Sequence, residues 1–333
     1  MSRKVRLGML GCGRAAERLH APAIRRSEGA RLTAVYDPIP ARRELIASRH
    51  PGCRTFDSPE LLVASGEVDA VIVATPAQNH VEAASLALRA GLPVLIEKPL
   101  AQSLAEARLL KALQESTGVP VMIALNRRWW DPVVQLRRRL SQPGRGPASV
   151  QMDIASDVNG WSPLSAASDP LEDLGTHQLD LLRYLFDCEI ESVRATQLSP
   201  TAFELTVRLE DGTVALCRAA YRERSEEAVL VSVGPEQSSA RVGSERIRPA
   251  EGGLRQILDL ADTIRRRALR GRGGLTRSYD QQLESFIASV REGKAPSPGL
   301  TDGLAVMRAV EAARVSLARR GADIPLSTSS LEL

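Results

Sequence analysis

The sequence predicts an α/β protein in which a doubly wound parallel sheet is followed by a region with an antiparallel or mixed sheet. Over residues 1–125, short apolar strands alternate with helices, which is the pattern of a parallel sheet with crossover helices. A glycine-rich loop joins the first strand to the first helix. After residue 126, predicted strands follow one another without helices between them, which is typical of antiparallel or mixed sheets.

Each predicted strand of the first region is a short apolar run. The run at 68–74 is apolar almost throughout, as expected for a strand covered on both faces. Ser103 and Glu106 form a capping-box pattern at the start of the last helix of this region, and Gly118 ends it. The predicted strands are 5–11, 31–36, 54–56, 68–74, 94–96 and 121–125. The other predicted helices are 14–27, 41–49, 59–65 and 78–90.

The glycine-rich loop is the strongest local binding motif. The residues Gly11-Cys12-Gly13-Arg14-Ala15-Ala16 match the pattern G-x-G-x-x-A between a strand and a helix. Gly11 allows a tight turn, Gly13 lets the backbone approach a pyrophosphate, and the helix N-terminus faces the phosphates. The motif predicts dinucleotide binding, with a merely tight strand–helix turn as the alternative.

Asp37 indicates which dinucleotide is bound. It follows the second predicted strand, roughly 20 residues after the loop, where an acidic side chain accepts hydrogen bonds from the adenosine ribose. The carboxylate would repel a 2′-phosphate, so the sequence favours NAD. Arg42 and Arg43 lie close enough in sequence to keep NADP as an alternative.

Lys98 is conspicuous because lysine is rare in this chain. Of 44 Lys and Arg residues only those at 4, 98, 111 and 294 are lysine, so the other 40 are arginine. Arginine stays protonated in proteins, whereas a lysine amine can shift its pKa and take part in proton transfer. Lys98 ends an apolar run and precedes Pro99, which makes it a candidate catalytic residue. The alternative is an ordinary surface lysine.

The second region is rich in strands and closes with two helices. Residues 210–212, Glu-Asp-Gly, are a hairpin turn signal. The tail at 327–333 is expected to be frayed. The predicted strands are 149–155, 190–198, 203–209, 214–221 and 228–233, and the closing helices are 278–292 and 302–320.

One helix of the second region places acidic side chains near a histidine. Asp173 and His177 are four residues apart, and His177 and Asp180 three apart, so helical geometry predicts that they are neighbours. A carboxylate beside an imidazole fixes its tautomer and stabilises its charged form. The alternative is a histidine on a helix flank that is paired with an aspartate for packing alone.

Composition excludes several classes of function. The net charge of +4 and an aromatic content of 3% are weak support for nucleic-acid binding. No apolar run approaches the ~20 residues that cross a bilayer, so membrane insertion is not expected. The four cysteines are widely spaced, so neither a metal site nor a disulfide framework is predicted, and the cytoplasm is the simplest location.

Several segments, in order along the chain, resemble the glucose–fructose oxidoreductase / inositol dehydrogenase family. They are GCGRAA with Asp37, ATPAQNH at 74–80, AGLPVLIEKPLA at 90–101, DLGTHQLD at 173–180 and the stretch 278–298. The resemblance implies a Rossmann domain at 1–125 and, at 126–326, a substrate-binding and oligomerisation α/β domain on an open, mostly antiparallel sheet. It also implies NAD or NADP as cofactor, a sugar, cyclitol or nucleotide-sugar as substrate, and a homodimer or homotetramer.

The resemblance also implies site residues. Lys98, Asp173 and His177 match the catalytic positions of the family. Asn126 and Arg127 match a loop near the same site, where Asn126 would contact the cofactor, as would Lys98, and Arg127 would contact the substrate. The positions that match those lining the nicotinamide and its ribose are Ala74, Thr75, Pro76, Asn79, His80 and Glu97. For His80, packing near the start of a helix is the alternative role.

The chemistry implied by these residues is hydride transfer from a carbinol carbon. His177 is expected to be the general base, Lys98 to stabilise the developing alkoxide, and Asp173 to orient His177 or bind an adjacent hydroxyl. Two alternatives remain: a hydrolase or lyase that oxidises its substrate transiently, and a regulator that senses NAD(P) without catalysis.

Two features leave the substrate open. Before Asp173 the chain has Ser168-Asp169-Pro170-Leu171-Glu172, whereas many family members have a glycine-rich stretch there. An arginine-rich amphipathic helix is predicted at 254–272. It is expected to be a packed or oligomer-facing helix, with an anionic substrate or a membrane surface as alternative contacts.

Overall fold

Two sheets, of six and seven strands, organise the protein. The computed structural model describes residues 3–141, 146–157, 169–222, 226–233, 236–243 and 274–327. Within these residues the predicted α/β fold class is confirmed. The predicted helix at 254–272, Ser168 of the substituted stretch and all but the first residue of the predicted tail lie outside them. None of the described helices is both long and apolar enough to span a membrane.

The first sheet is parallel throughout, with strand order β3-β2-β1-β4-β5-β6. The chain adds β2 and β3 on one side of β1 and then crosses to β4 on the other side. Ligands of such sheets bind at the carboxyl ends of the strands where the order reverses. The strands are β1 (Val5–Leu10), β2 (Ala30–Tyr36), β3 (Arg54–Phe56), β4 (Ala70–Val73), β5 (Val94–Ile96) and β6 (Val121–Ile123).

Hydrophobic clusters cover both faces of the first sheet. Ile72 packs into the cluster on one face, while Val71 and Val73 pack into the cluster on the other, as the apolar run of β4 predicted. The first helix begins at Arg14 and contains a π-helical turn, Ala16–His20. The helices are α1 (Ala21–Arg26), α2 (Pro40–Ser48), α3 (Pro59–Ala64), α4 (His80–Arg89) and α5 (Leu104–Thr117).

Helix α5 has the ends that its sequence predicts. The hydroxyl of Ser103 accepts from the backbone N–H of Glu106 at 3.2 Å, which satisfies one free donor at the N-terminus. The Glu106 carboxylate accepts from the N–H of Gln102 at 3.1 Å, one residue before the expected partner. Gly118 ends the helix in the left-handed region, with φ +68°.

The second sheet is mixed, with strand order β12-β11-β7-β10-β9-β8-β13. Among these strands β7 and β10 are parallel, and the other neighbours are antiparallel. Gly212 has φ +82° in the turn that joins β9 to β10. The strands are β7 (Ser149–Ser156), β8 (Ile190–Ser199), β9 (Ala202–Leu209), β10 (Val214–Tyr221), β11 (Glu226–Val233), β12 (Glu236–Gly243) and β13 (Ile324–Pro325).

Three helices and one face of the second sheet share the largest hydrophobic cluster. The helices of this half are α6 (Asp131–Leu140), α7 (Thr176–Phe186), α8 (Gly274–Glu292) and α9 (Leu300–Ala318), and α6, α7 and α9 cover the sheet. Helix α6 was not predicted, although Val133, Leu136 and Leu140 form one buried face. Strands β12 and β13 were not predicted either, because β12 is mostly polar or small and β13 has two residues.

Helix α8 returns to the first sheet. Its Leu283, Phe286 and Ile287 are buried in the cluster that also contains the inner residues of β1 and β2. The guanidinium of Arg26 donates to both carboxylate oxygens of Asp280 at 3.0 and 3.1 Å. This packing brings the start of α8, which follows β12 in sequence, to the carboxyl edge of the first sheet.

Candidate active site

The loop after β1 has the geometry expected of a pyrophosphate site. Gly11 has φ +92°, and a Cβ there would lie 2.6 Å from the backbone of Ala74 and Thr75. A Cβ built on Gly13 would have no atom within 4 Å. This open space, next to the start of a helix, fits the phosphates of a dinucleotide. The other predicted residues of the loop and first helical turn are Cys12, Arg14 and Ala15.

Asp37 is fixed to this loop through both carboxylate oxygens. The backbone N–H of Cys12 donates to Oδ2 at 2.7 Å, and that of Ile39 donates to Oδ1 at 2.9 Å. Each oxygen retains acceptor capacity for a ribose hydroxyl. Arg43 donates to the carbonyl of Asp37 at 3.1 Å, whereas Arg42 is exposed. Burial raises the pKa of the Cys12 thiol to about 12, so Cys12 is not a nucleophile at neutral pH.

His80 connects two loops at the carboxyl edge of the first sheet. Its Nδ1 lies 2.7 Å from the carbonyl oxygen of Pro99, and its Nε2 lies 2.8 Å from that of Thr75. A neutral imidazole donates one of these bonds, and the second forms only on protonation, which burial disfavours by lowering the pKa of His80. The Thr75 hydroxyl is buried without a partner among the described residues, as a cofactor contact would be. The same loop contains Ala74, Pro76 and Asn79.

The carboxylate of Glu97 is held by donors from three segments. His20 Nε2 lies 2.7 Å from Oε1, the Tyr279 hydroxyl donates to the same oxygen at 3.5 Å, and the backbone N–H of Lys98 donates to Oε2 at 3.1 Å. Burial alone would raise the pKa of Glu97, but His20 and Lys98 bring it below its ordinary value. These contacts fix the position of Glu97, the residue immediately before Lys98. Neither His20 nor Tyr279 was predicted.

Lys98 of the first region contacts Asp173 of the second region. The ammonium contacts the Asp173 carboxylate and donates to its backbone carbonyl at 3.1 Å. The hydroxyl of Tyr221 donates to Asp173 Oδ2 at 3.3 Å. Burial opposes ionisation of Asp173, but Lys98 holds its pKa below the ordinary value. The peptide bond between Lys98 and Pro99 is cis.

His177 lies in the first turn of α7 and is buried, with 5% of its surface exposed. Its Nδ1 has no hydrogen-bond partner among the described residues. Burial, together with the charges of Arg127 and Lys98, lowers the pKa of His177 well below 6.5. The imidazole is therefore neutral at physiological pH and can accept a proton.

Among the described residues, His177 forms no hydrogen bond with Asp173 or Asp180, its expected partners. Asp173 binds Lys98, and Asp180 binds Arg128. The cause lies in the backbone: residues Leu171–Gly175 form a π-helical turn, whose wider spacing removes the alignment expected four residues apart.

Arg127 and Asn126 follow β6, at the same edge of the sheet. The amide of Asn126 donates to the hydroxyl of Ser278 at 2.8 Å. Arg127 Nε donates to both carboxylate oxygens of Glu227 at 3.0 and 2.9 Å, and its guanidinium lies 5.0 Å from the centre of the Trp130 ring. Burial raises the pKa of Glu227, and Arg127 opposes that rise. Glu227 was not predicted.

A buried ion pair joins the turn after β6 to α7. Arg128 Nε donates to both oxygens of Asp180 at 3.1 and 3.0 Å, and Nη2 donates to Asp302 at 3.0 Å. The side chain of Asp180 is 1% exposed.

Within the described part of the chain, no cluster of three or more His, Cys, Asp or Glu could hold a metal ion.

Comparison with known proteins relates this chain to oxidoreductases. Residues 5–125 match the family model GFO_IDH_MocA, described as an oxidoreductase family with an NAD-binding Rossmann fold. The chain is 29% identical over 328 residues to inositol 2-dehydrogenase of Rhizobium meliloti (strain 1021), with 95% of this chain and 98% of the relative covered. It is 27% identical over 340 residues to D-apiose dehydrogenase of Paraburkholderia graminis, covering 97% and 90% of the two chains.

A solved structure has the same fold. The crystal structure of scyllo-inositol dehydrogenase from Lactobacillus casei, with bound NAD(H) and scyllo-inositol, superposes with a TM-score of 0.79. The match covers 98% of this chain and 100% of that one at 17% sequence identity. At 17% sequence identity this likeness shows a shared fold, over both regions of the chain, and nothing further.

Proposed function

We propose that the protein, which belongs to the glucose–fructose oxidoreductase / inositol dehydrogenase family, is a dehydrogenase that transfers a hydride between NAD and a carbon of a polyol. The family model confirms the NAD-binding Rossmann fold expected from the sequence. Relatives named for inositol and D-apiose support a sugar or cyclitol as substrate. The observation that carries the proposal is the contact of Lys98 with Asp173, in the turn that precedes His177.

Each of the three candidate catalytic residues has a separate role in oxidation. His177 accepts the hydroxyl proton, because its lowered pKa keeps the imidazole neutral. The ammonium of Lys98 stabilises the negative charge that develops on the reacting oxygen. Asp173 holds that ammonium and accepts a hydrogen bond from an adjacent hydroxyl. Bound NAD supplies the hydride acceptor.

The cofactor is held by residues of the first region. Gly11, Gly13 and the helix N-terminus would contact the pyrophosphate, and Asp37 the adenosine ribose. The loop of Thr75 would contact the nicotinamide half, together with Glu97. Under this proposal residues 1–125 are the dinucleotide-binding domain, and 126–326 supply the substrate wall through Asp173 and His177.

The proposal is tested by NADH formation from neutral cyclitols, aldoses and their alcohols with the purified protein. We expect NADH to accumulate in proportion to one of these substrates. Cofactor that survives purification, with substrate consumed but no net NADH, would instead favour transient oxidation by a hydrolase or lyase. NAD binding without turnover of any substrate would contradict the proposed dehydrogenase activity.

The dependence of kcat/KM on pH in the acid range should report the protonation of His177. Protonation removes its ability to accept a proton, so kcat/KM for oxidation should fall as pH decreases, with a midpoint well below 6.5. In Lys98→Met one of the two cations that lower this pKa is absent, so the midpoint should move to higher pH. Initial rates across the acid range test both points. A midpoint at or above 6.5 in the wild type contradicts the assigned protonation state.

Replacement of Asp37 by serine should weaken the preference for NAD over NADP. The substitution removes a charged acceptor for the ribose and a charge that repels the 2′-phosphate, while Arg42 stays exposed. We expect kcat/KM for NAD to fall roughly 10- to 100-fold, the range for hydrogen bonds to charged groups. Steady-state kinetics with both cofactors test this. Glu44→Gln, which removes an exposed charge from α2, is the control and should leave the ratio unchanged.

A further inference from the structure

A half-buried ion pair brings a carboxylate from the second sheet to the candidate site. Arg127 comes from the turn after β6, and Glu227 is the second residue of β11. Their side chains are 13% and 10% exposed, and Nε of Arg127 donates to both oxygens of Glu227. Two charges removed from water to this extent are stable only because each compensates the other.

Glu227 occupies a position where an apolar side chain is the rule. Along β11 it shares one face of the strand with Val229 and Val231, which are both buried. Across the sheet it pairs in register with Ile154 of β7. Ile154 packs against Leu174, the neighbour of Asp173. Glu227 therefore lies on the covered face, beside the segment that bears the candidate catalytic residues.

Arg127 uses only part of its hydrogen-bonding capacity in this pair. Among the residues that the structure describes, its hydrogen bonds come from Nε, so Nη1 and Nη2 retain donors. The charge of Arg127 also contributes to the lowered pKa of His177 and to that of Asp173. The guanidinium therefore lies within electrostatic range of His177 and Asp173.

We infer that Glu227 sets the charge selectivity of the substrate cleft, favouring neutral polyols and excluding sugars that carry a carboxylate or phosphate. This inference rests on the proposed function and narrows its substrate class. Lys98 and Arg127 each have a carboxylate partner, Asp173 and Glu227. A neutral polyol accepts from the Nη donors and donates to the carboxylates. An anionic sugar finds both cations already compensated and two carboxylates that repel it.

The test uses two probes of nearly the same shape, D-glucuronate and its neutral amide D-glucuronamide. Their dissociation constants for the enzyme–NADH complex are measured by NADH fluorescence, in the wild type and in Glu227→Gln. We expect the variant to shift the ratio of affinities towards glucuronate by roughly tenfold or more, the scale of a charge-assisted hydrogen bond. The side chain keeps its size and one acceptor for Arg127, but its charge is removed.

Two further variants separate selectivity from misfolding. Arg127→Gln should shift the ratio in the opposite direction, because it leaves the carboxylate uncompensated. Glu204→Gln is the matched control, since Glu204 pairs with Arg218 on the partly exposed face of the same sheet. It should leave the ratio unchanged.

The binding measurement is independent of the redox reaction. Glucuronate binding requires no hydride transfer, so a failed search for an oxidised polyol contradicts the proposed function and leaves this measurement interpretable. Equal ratios in Glu227→Gln and the wild type, or no glucuronate binding to Glu227→Gln, would overturn the inference. So would a wild-type preference for glucuronate over its amide.

Discussion

Replacement of Lys98 by methionine is expected to lower turnover roughly 10²- to 10³-fold, the loss typical when one donor to a developing oxyanion is removed. Methionine keeps an unbranched side chain of similar length but has no charge and no N–H donor. In the structure the ammonium contacts the carboxylate and the backbone carbonyl of Asp173. It therefore lies beside the proposed position of the substrate oxygen. NAD affinity should change little, because the loop after β1 and Asp37 are untouched.

Two variants show whether charge alone is sufficient. Lys111→Met removes a lysine from α5 that pairs with Glu115 on the surface, and it should retain wild-type turnover. Lys98→Arg keeps the charge but replaces a compact ammonium with a planar guanidinium, so we expect it to recover only part of the activity. Fluorescence titration with NAD and thermal unfolding establish that each variant is folded. Wild-type turnover by Lys98→Met on a genuine substrate would remove Lys98 from the mechanism.

The first sheet could be predicted in detail because its signals are local. Parallel strands covered on both faces are short apolar runs, and β4 is buried at all four positions. The helices between them are marked by caps and glycines, as Ser103 and Gly118 show for α5. The predicted ends of these elements differ from those of the structure by at most two residues, and the strands at 54–56 and 94–96 match at both ends.

The second sheet was predicted less completely. Strand β12 has no apolar alternation, and β13 is held by pairing with β8 rather than by any preference of its own. Helix α6 does carry a signal, since its buried residues recur every three or four positions. Its three consecutive arginines at 137–139 show that an amphipathic helix can be rich in charge on its exposed face.

The candidate site shows what a local pattern can and cannot provide. Lys98 and Asp173 were predicted separately, and the fold brings them into contact. The residues that hold the site in place come from distant segments, so no spacing links them in the sequence. Tyr279, which reaches Glu97 from α8, is one of them. The predicted pairing of Asp173 with His177 is not formed, because a π-helical turn changes the spacing of the two side chains along the helix. No local sequence pattern predicts such a turn.

The ion pair between Arg128 and Asp180 carries the second large expected effect, on stability. Asp180→Ala should lower the free energy of unfolding by about 3–5 kcal/mol, the usual result when one partner of a buried pair is removed. Asp180 accepts from Arg128 through both oxygens, and both side chains are almost fully buried. The variant leaves a guanidinium in the interior with Asp302 as its remaining carboxylate.

The position of this pair links stability to the site above it. Arg128 is the neighbour of Arg127, and Asp180 lies about one turn after His177 on α7, so the pair fixes two site residues relative to each other. We therefore expect Asp180→Ala to lower turnover in addition to the urea midpoint of unfolding. Asp57→Ala is the control, because Asp57 is 84% exposed and pairs with Arg43 at the surface. That change should cost less than about 1 kcal/mol. If Asp180→Ala were no less stable than Asp57→Ala, the pair would not brace the site, and α7 would have to be held by its apolar face alone.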